Sequence, residues 1–304
     1  MVDTSNYTKM KHLKSTLDAS QNFLLKAGRY GHLEARYVRR TPEYVAAYVS
    51  SAYGCNMGCK FCHLTHMDKM HQNNKMASLQ DYAHQLETVM HYVEQVEKKP
   101  DVGISNRVNI NFMARGDALA NATILNNYKA LYDTFRALVP GDKRIRMNLS
   151  TIFPKTMQHR TLIQVLNDVP DTFLYYSLYN TNEKFRNYWI PNSIPYQKAL
   201  EQLKSYQETN GRLITFHWAF IKGHNDNVED MKNVAKTIDS FKFSSTKFNL
   251  VRFNSPDNQY TEPEMQKLQE MFNIINSVMS NDEPSKIVTR VGKDISASCG
   301  MFIP

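Results

Sequence analysis

The stretch SSAYGCNMGCKFCHLTHM, residues 50–67, sets Cys55, Cys59 and Cys62 almost side by side, while the fourth cysteine, Cys299, stands near the far end of the chain. The spacing C-x3-C-x2-C raises three readings. A structural zinc centre would take the three thiolates and a histidine, His63 or His66. A c-type haem would use CKFCH, residues 59–63, and leave Cys55 unexplained. A [4Fe–4S] cluster would use the three thiolates and leave one iron open for a small molecule. Disulfides between neighbouring members of the set would close very small, strained loops.

The chain beyond the cysteines favours the third reading. Short β-rich runs recur at 107–114, 144–151, 172–180, 213–221, 246–254 and 286–292, and most are separated by stretches of helical periodicity. Ahead of them SLQDYAHQLETVMHYVEQVEKK begins on Ser78, a suitable N-cap, and carries Leu79, Tyr82, Leu86, Met90 and Val93 on one face. Alternation at roughly 30 to 40 residues per βα unit predicts an α/β fold with parallel strands, a partial TIM-like barrel of about six strands. The expected division is a short helical or β extension over 1–44 and a barrel domain over 45–304. Polar residues then gather at the C-terminal ends of the runs: Arg115 to Asp117, Ser150 with Thr151, Ser177 with Tyr179, and Asn254. In a βα barrel that end is the active face. An iron with an open coordination site, set before such a barrel, can hold a small molecule over its mouth and pass it an electron. Zinc explains the ligands but not the barrel.

Composition bounds the setting. The chain has 304 residues, 42% hydrophobic and 22% charged, enough for a sizeable core. It has no run of about eighteen apolar residues, and its opening is polar and lysine-bearing, so we expect no membrane span, no secretory signal and a cytoplasmic location. A reducing compartment also favours metal over disulfides for clustered cysteines. The formal charge of +8 is compatible with a solvated basic surface or with a polyanionic partner. KMKHLK and RYGHLEARYVRR (29–40) concentrate that charge ahead of the cysteines.

With those residues in hand, the chain resembles the radical S-adenosylmethionine RNA adenine methyltransferases of the RlmN/Cfr type, from about residue 30 to 302. VSSAYGCNMGCKFC looks like that family's cluster segment, and MARGDALAN (113–121) is similar to its Gly-Glu-Pro-Leu-x-Asn loop. LST at 149–151, SLY at 177–179, FRNYWIP with Arg186 and Pro191, FIKGHNDN, and FNSP with Asn254 resemble further family elements. TRVGKDISASCG resembles the C-terminal signature and puts Cys299 on the methyl-carrying cysteine. The resemblance implies a [4Fe–4S] cluster on Cys55, Cys59 and Cys62. It implies S-adenosyl-L-methionine bound by Gly116, Asp117, Ser150, Ser177, Tyr179 and Asn254, and Cys299 and Glu34 as catalytic residues.

The implied chemistry has two stages. One S-adenosylmethionine methylates Cys299; a second is cleaved to a 5′-deoxyadenosyl radical that takes a hydrogen from that methyl group, and the methylene radical adds to carbon 2 or 8 of an adenine. Glu34 is the implied base that removes the ring proton. The implied partners are an RNA substrate, rRNA or tRNA, and an electron donor such as flavodoxin or ferredoxin, with the chain itself a monomer and no membrane involved. The sequence departs from the family in four places. Tyr48 stands where a second cysteine resolves the covalent adduct, Asp117 replaces Glu, Ala118 replaces Pro, and Tyr179 replaces His. Two other readings remain open from the residues: a radical enzyme of the same fold with a different substrate or reaction, or a non-catalytic RNA-binding protein with zinc on the three cysteines and His66.

Overall fold

Ten strands among the described residues lie side by side in chain order. The computed structural model describes residues 9–26, 30–68, 71–166, 169–280 and 283–304; of the N-terminal extension, 1–8 and 27–29 lie outside these. Strands β1 (Lys9–Lys14), β2 (Gln21–Lys26), β3 (His32–Thr41) and β4 (Tyr44–Tyr48) pair antiparallel. From β4 onward every pairing is parallel: β5 (Arg107–Phe112), β6 (Arg144–Thr151), β7 (Thr172–Tyr176), β8 (Ile214–Ala219), β9 (Thr246–Val251) and the two-residue β10 (Lys286–Ile287). The result is an open, barrel-like α/β sheet whose first antiparallel strands extend the same sheet. Among its described residues the extension is therefore β rather than helical.

Between the strands run α1 (His63–His66), α2 (Leu79–Glu97), α3 (Ala122–Leu138), α4 (Leu162–Leu166), α5 (Glu183–Trp189), α6 (Tyr196–Asn210), α7 (Val228–Ser240) and α8 (Met265–Asn276). Helix α2 begins as its sequence predicts. The Ser78 hydroxyl accepts from the Asp81 amide while the Asp81 carboxylate accepts from the Ser78 amide, so two end donors are satisfied reciprocally. Its Tyr82, Leu86, Val89, Met90 and Val93 are buried against the sheet. Each such side chain contributes on the order of 1.5–3 kcal/mol on leaving water.

Two strand expectations need correcting. The first parallel strand is β4, in YVAAY, not the run at 107. Its three central residues are all buried, so it lacks the alternation that marks a half-exposed strand. The run at 286–292 pairs only at Lys286 and Ile287. Elsewhere the strands end early, β5 at Phe112, β7 at Tyr176 and β9 at Val251. The chain beyond each end turns into the loops that carry the site.

Candidate active site

The cysteine loop leaves the C-terminal end of β4 and is held by backbone contacts that tolerate little change. The Cys55 amide donates to the His71 carbonyl at 2.9 Å. A Cβ on Gly54 would sit 2.5 Å from that same oxygen, so the approach requires glycine. On the other side of the loop Asn121, the N-cap of α3, donates to the carbonyls of Ser51 (2.7 Å) and Ala77 (2.8 Å). Its side-chain oxygen accepts from the first turn of the helix. One side chain thus caps α3 and braces the base of the cysteine loop.

Cys55, Cys59 and Cys62 line one cavity together with Gly116, Asp117, Ser150, Ser177, Tyr179, Asn254 and Cys299. Every residue that the sequence assigns to cluster or cofactor is therefore brought to one place, at the C-terminal ends of the parallel strands. Glu34 is not. It is fully buried on β3 and is absent from the linings of this cavity and the adjoining one. Oε1 accepts from Arg115 Nε (3.0 Å) and the Ile303 amide (2.9 Å), and Oε2 from Arg36 Nη2 (2.7 Å) and Asn22 Nδ2 (3.0 Å). Burial alone would raise its pKa, but Arg36, His32 and Arg115 outweigh that and hold the carboxyl well below the usual range.

The three loop thiols sit at the opposite extreme. Burial pushes Cys55 up to about 11, burial with the neighbouring sulfurs pushes Cys62 up to about 12, and the same two causes hold Cys59 well above the ordinary thiol range. Backbone amides favour the thiolates, as does Arg115 at Cys62, but burial outweighs them; a bound metal would deprotonate the thiols outright. His66 is turned elsewhere, with Nε2 2.8 Å from the Lys60 carbonyl and Nδ1 3.3 Å from Asp257. Among the described residues no three His, Cys, Asp or Glu side chains are close enough to share a single ion. Thiolates spread around a multi-iron cluster need not be that close, whereas four ligands on one zinc do.

Asp117 faces the cavity and also braces it. Its carboxylate accepts from the Leu119 amide, the Thr151 hydroxyl and the Ile152 amide, each at 2.9 Å, tying the loop after β5 to the end of β6. Burial nevertheless raises its pKa to about 6, against those hydrogen bonds. Gly116 beside it has φ +85°, and a Cβ there would meet Ala52 at 3.0 Å. Tyr179, at φ 62°, stacks on Phe61 of the cysteine loop with centroids 4.4 Å apart. Asn254 Nδ2 donates to the Cys299 carbonyl at 2.9 Å, so this residue positions the C-terminal cysteine as well as lining the cavity.

Cys299 stands where two cavities meet. The second is lined by Arg36, Arg40, Arg252 and Arg290, with Tyr48 and His217 and no carboxylate. Met113, His217, Val251, Arg252 and Cys299 belong to both. Solvent reaches the Cys299 side chain, yet the protein packed around it raises its thiol pKa, with Arg36 opposing. Sequence reasoning missed His217, which lies at this junction with Nδ1 lacking a hydrogen-bond partner among the described residues. Burial and Lys286 bring its pKa down to about 4. The signal was faint: one histidine inside an apolar strand.

No model of a known protein family matches the chain. It is 26% identical over 292 residues to the dual-specificity RNA methyltransferase RlmN of Hyphomonas neptunium, covering 94% of this chain and 70% of that protein. It is 25% identical over 306 residues to the RlmN of Lawsonia intracellularis, covering 98% and 79%. Among solved structures, a radical SAM methyltransferase from Sphaerobacter thermophilus superposes with a TM-score of 0.73 at 20% identity, covering 97% of this chain and 81% of that one. That likeness is one of fold. The chain is thus similar along nearly its whole length to RNA methyltransferases of the RlmN/Cfr type, and it shares the fold of a radical SAM methyltransferase.

Proposed function

We propose that the chain is a radical S-adenosylmethionine enzyme that methylates a ring carbon, C2 or C8, of an adenosine in rRNA or tRNA, with Cys299 as the methyl carrier. One observation carries this reading: Cys299 lines the same cavity as Cys55, Cys59 and Cys62 although it lies at the other end of the sequence. Two kinds of cysteine, three clustered on one loop with Cys59 buried and one exposed at a junction, suit two different tasks.

Cys55, Cys59 and Cys62 would hold a [4Fe–4S] cluster, and the donor set fits it: three clustered thiols whose surroundings disfavour the thiolate, a cost that a bound cation would offset. S-adenosylmethionine would lie along Gly116, Asp117, Ser150, Ser177, Tyr179 and Asn254. Bound there, the two groups supply one-electron cleavage of the cofactor, with the electron coming from a donor such as flavodoxin or ferredoxin. The chain's own part is placement. Asp117 offers a carboxylate at the strand ends for an ammonium group. Asn254 fixes the Cys299 backbone, and Phe61 stacked on Tyr179 closes the cavity wall. The arginine-lined cavity on the far side of Cys299 gives a polyanion a way to the thiol.

Two measurements test the reading. Reduced protein with S-adenosylmethionine should release 5′-deoxyadenosine, and nucleosides from cells carrying the chain should contain 2- or 8-methyladenosine that is missing with Cys299→Ala. Release of 5′-deoxyadenosine with no methylated adenosine in any RNA would overturn the substrate and point to a different reaction on the same fold.

A further inference from the structure

We propose that the cavity-lining face of the sheet, below the Cys299 junction, carries a second binding site, for a phosphate group that is free or borne by a small molecule. This goes beyond the methylation reading, since the site needs neither the cluster nor methyl transfer.

Strand register puts its residues together. Successive side chains of a strand point to opposite faces, so residues opposite one another on paired strands share a face. Tyr48 and His217 line the second cavity at Cys299. Tyr48 is opposite Asn111, which is opposite Asn148; His217 is opposite Asn249, which is opposite Lys286. Two residues back along the strands the same face carries Asn109 opposite Arg146, and Thr215 opposite Lys247. The alternate positions, among them Ile110, Met147, Phe216 and Phe248, pack into the apolar core. The interior of a βα barrel is ordinarily filled with branched apolar side chains. Here it is polar and positively charged.

The charges on this face do not balance. At the Cys299 junction Arg36 is paired with Glu34, and Arg252 and Arg290 share Glu262. Below it Arg146 and Lys247 share Glu283, while Arg40 and Lys286 form no ion pair among the described residues. Arg40 reaches only the Tyr48 hydroxyl, at 3.4 Å. Burial and then Arg40 lower the pKa of Lys286, with Arg146 adding to them and Glu283 opposing. Like charges are thus held close. Arg146 is fixed by donating to Asn148, which donates to Asn111 (3.1 and 2.7 Å).

Orphaned polar atoms mark the same place. Arg146 Nη2, Asn109 Oδ1, Asn249 Oδ1 and His217 Nδ1 lack hydrogen-bond partners among the described residues, and Asn249 is only 6% exposed. Unmet buried donors and uncompensated positive charge both cost stability. One phosphate offsets both, because guanidinium and ammonium groups bind it and a carboxamide can turn its NH2 towards it. Arg40 and Lys286 are exposed, which gives the anion an entry from solvent. The cations gather around one register of the strands and do not track a groove, as a polynucleotide backbone would require.

The test is titration calorimetry of the anaerobically purified holoenzyme at fixed pH and ionic strength. The probes are inorganic phosphate, adenosine 5′-monophosphate and, as control, adenosine. The wild type should bind inorganic phosphate or the monophosphate saturably, and Lys286→Gln and Arg40→Gln should each weaken that binding about ten- to hundredfold, the scale of one charge-assisted hydrogen bond. Lys236→Gln, on the exposed side of α7, should bind as the wild type does. Urea midpoints give a second reading of opposite sign. Without phosphate Lys286→Gln should be more stable than the wild type, having lost a repelled charge, and it should gain less when phosphate is added. Binding of inorganic phosphate assigns the site to the free ion; binding of the monophosphate alone, with adenosine inert, assigns it to a nucleotide; either supports the site. No saturable binding of either anion would overturn it, as would equal weakening in Lys236→Gln or a phosphate-free Lys286→Gln less stable than the wild type. None of these readouts requires any RNA to be methylated, so failure of the proposed function leaves them intact.

Discussion

Cys59 is the most enclosed of the three loop thiols, and its neighbours Cys55 and Cys62 raise its pKa further. Such a thiol gains most from a metal and leaves the largest defect when removed. Cys59→Ala should therefore strip iron and sulfide from anaerobically purified protein. His66→Ala should keep both, because that ring bonds Lys60 and Asp257 instead. Equal iron loss in the two variants would mean that the histidine is a ligand. Tyr48 poses a different question at the same scale. It lines the arginine-rich cavity together with Cys299, where the family resemblance places a resolving cysteine. Releasing an RNA carbon from Cys299 in that way requires a thiolate to attack Sγ. A disulfide forms, the S–C bond breaks with its electron pair going to carbon, and the carbon then takes a proton. A phenol cannot do this. Wild-type protein purified without added thiol should hence carry some ribonuclease-sensitive, slow-migrating band on a denaturing gel, absent in Cys299→Ala and reduced in Tyr48→Cys. No such band under any thiol condition, with 5′-deoxyadenosine still produced, would remove this route.

At the scale of elements, the cysteine loop is only as good as the backbone that frames it. Gly54→Ala forces a Cβ to within 2.5 Å of the His71 carbonyl, a contact that backbone must move to relieve. Overpacking of this kind costs typically ~1–3 kcal/mol. Since the Cys55 amide bonds the same carbonyl, the strain should appear as loss of iron on gel filtration as well as a lower Tm; unchanged iron and Tm would show that the loop yields freely. The elements also explain which features are legible in the sequence. Helix α2 is, because its cap and its apolar face are local patterns. Strand β4 is not, because Tyr-Val-Ala-Ala-Tyr buried at its centre has no alternation to detect. The cofactor residues are legible because each lies at or just past the C-terminal end of a strand, and a parallel sheet brings strand ends together. The surroundings of Glu34 are not. Its partners Arg115 and Ile303 lie 81 and 269 residues away, and no spacing rule reaches that far.

Over the whole molecule, buried groups of opposite sign should make stability respond to pH in two competing ways. His217 titrates at about 4 instead of 6.5, through burial and then Lys286. The unfolded chain therefore binds its proton first, and stability is lost as pH falls from about 6.5 towards 4. Asp117 titrates at about 6 instead of 3.8, through burial. Here the folded chain binds the proton first, and stability is gained as pH falls over nearly the same range. Each shift corresponds to at most about 3 kcal/mol, so the two nearly cancel. His63, His71 and His84, lowered chiefly by burial, tilt the wild type towards loss in acid. Glu34, held low by its arginines, adds its own loss only below its ordinary range, at about pH 4 and under. Urea midpoints of the apoprotein at fixed salt should thus fall gently between pH 6.5 and 4. Asp117→Asn, which removes the opposing gain, should steepen that fall, and His217→Gln should flatten or reverse it. Parallel profiles in the two variants would mean that neither group titrates in the folded chain as its surroundings dictate.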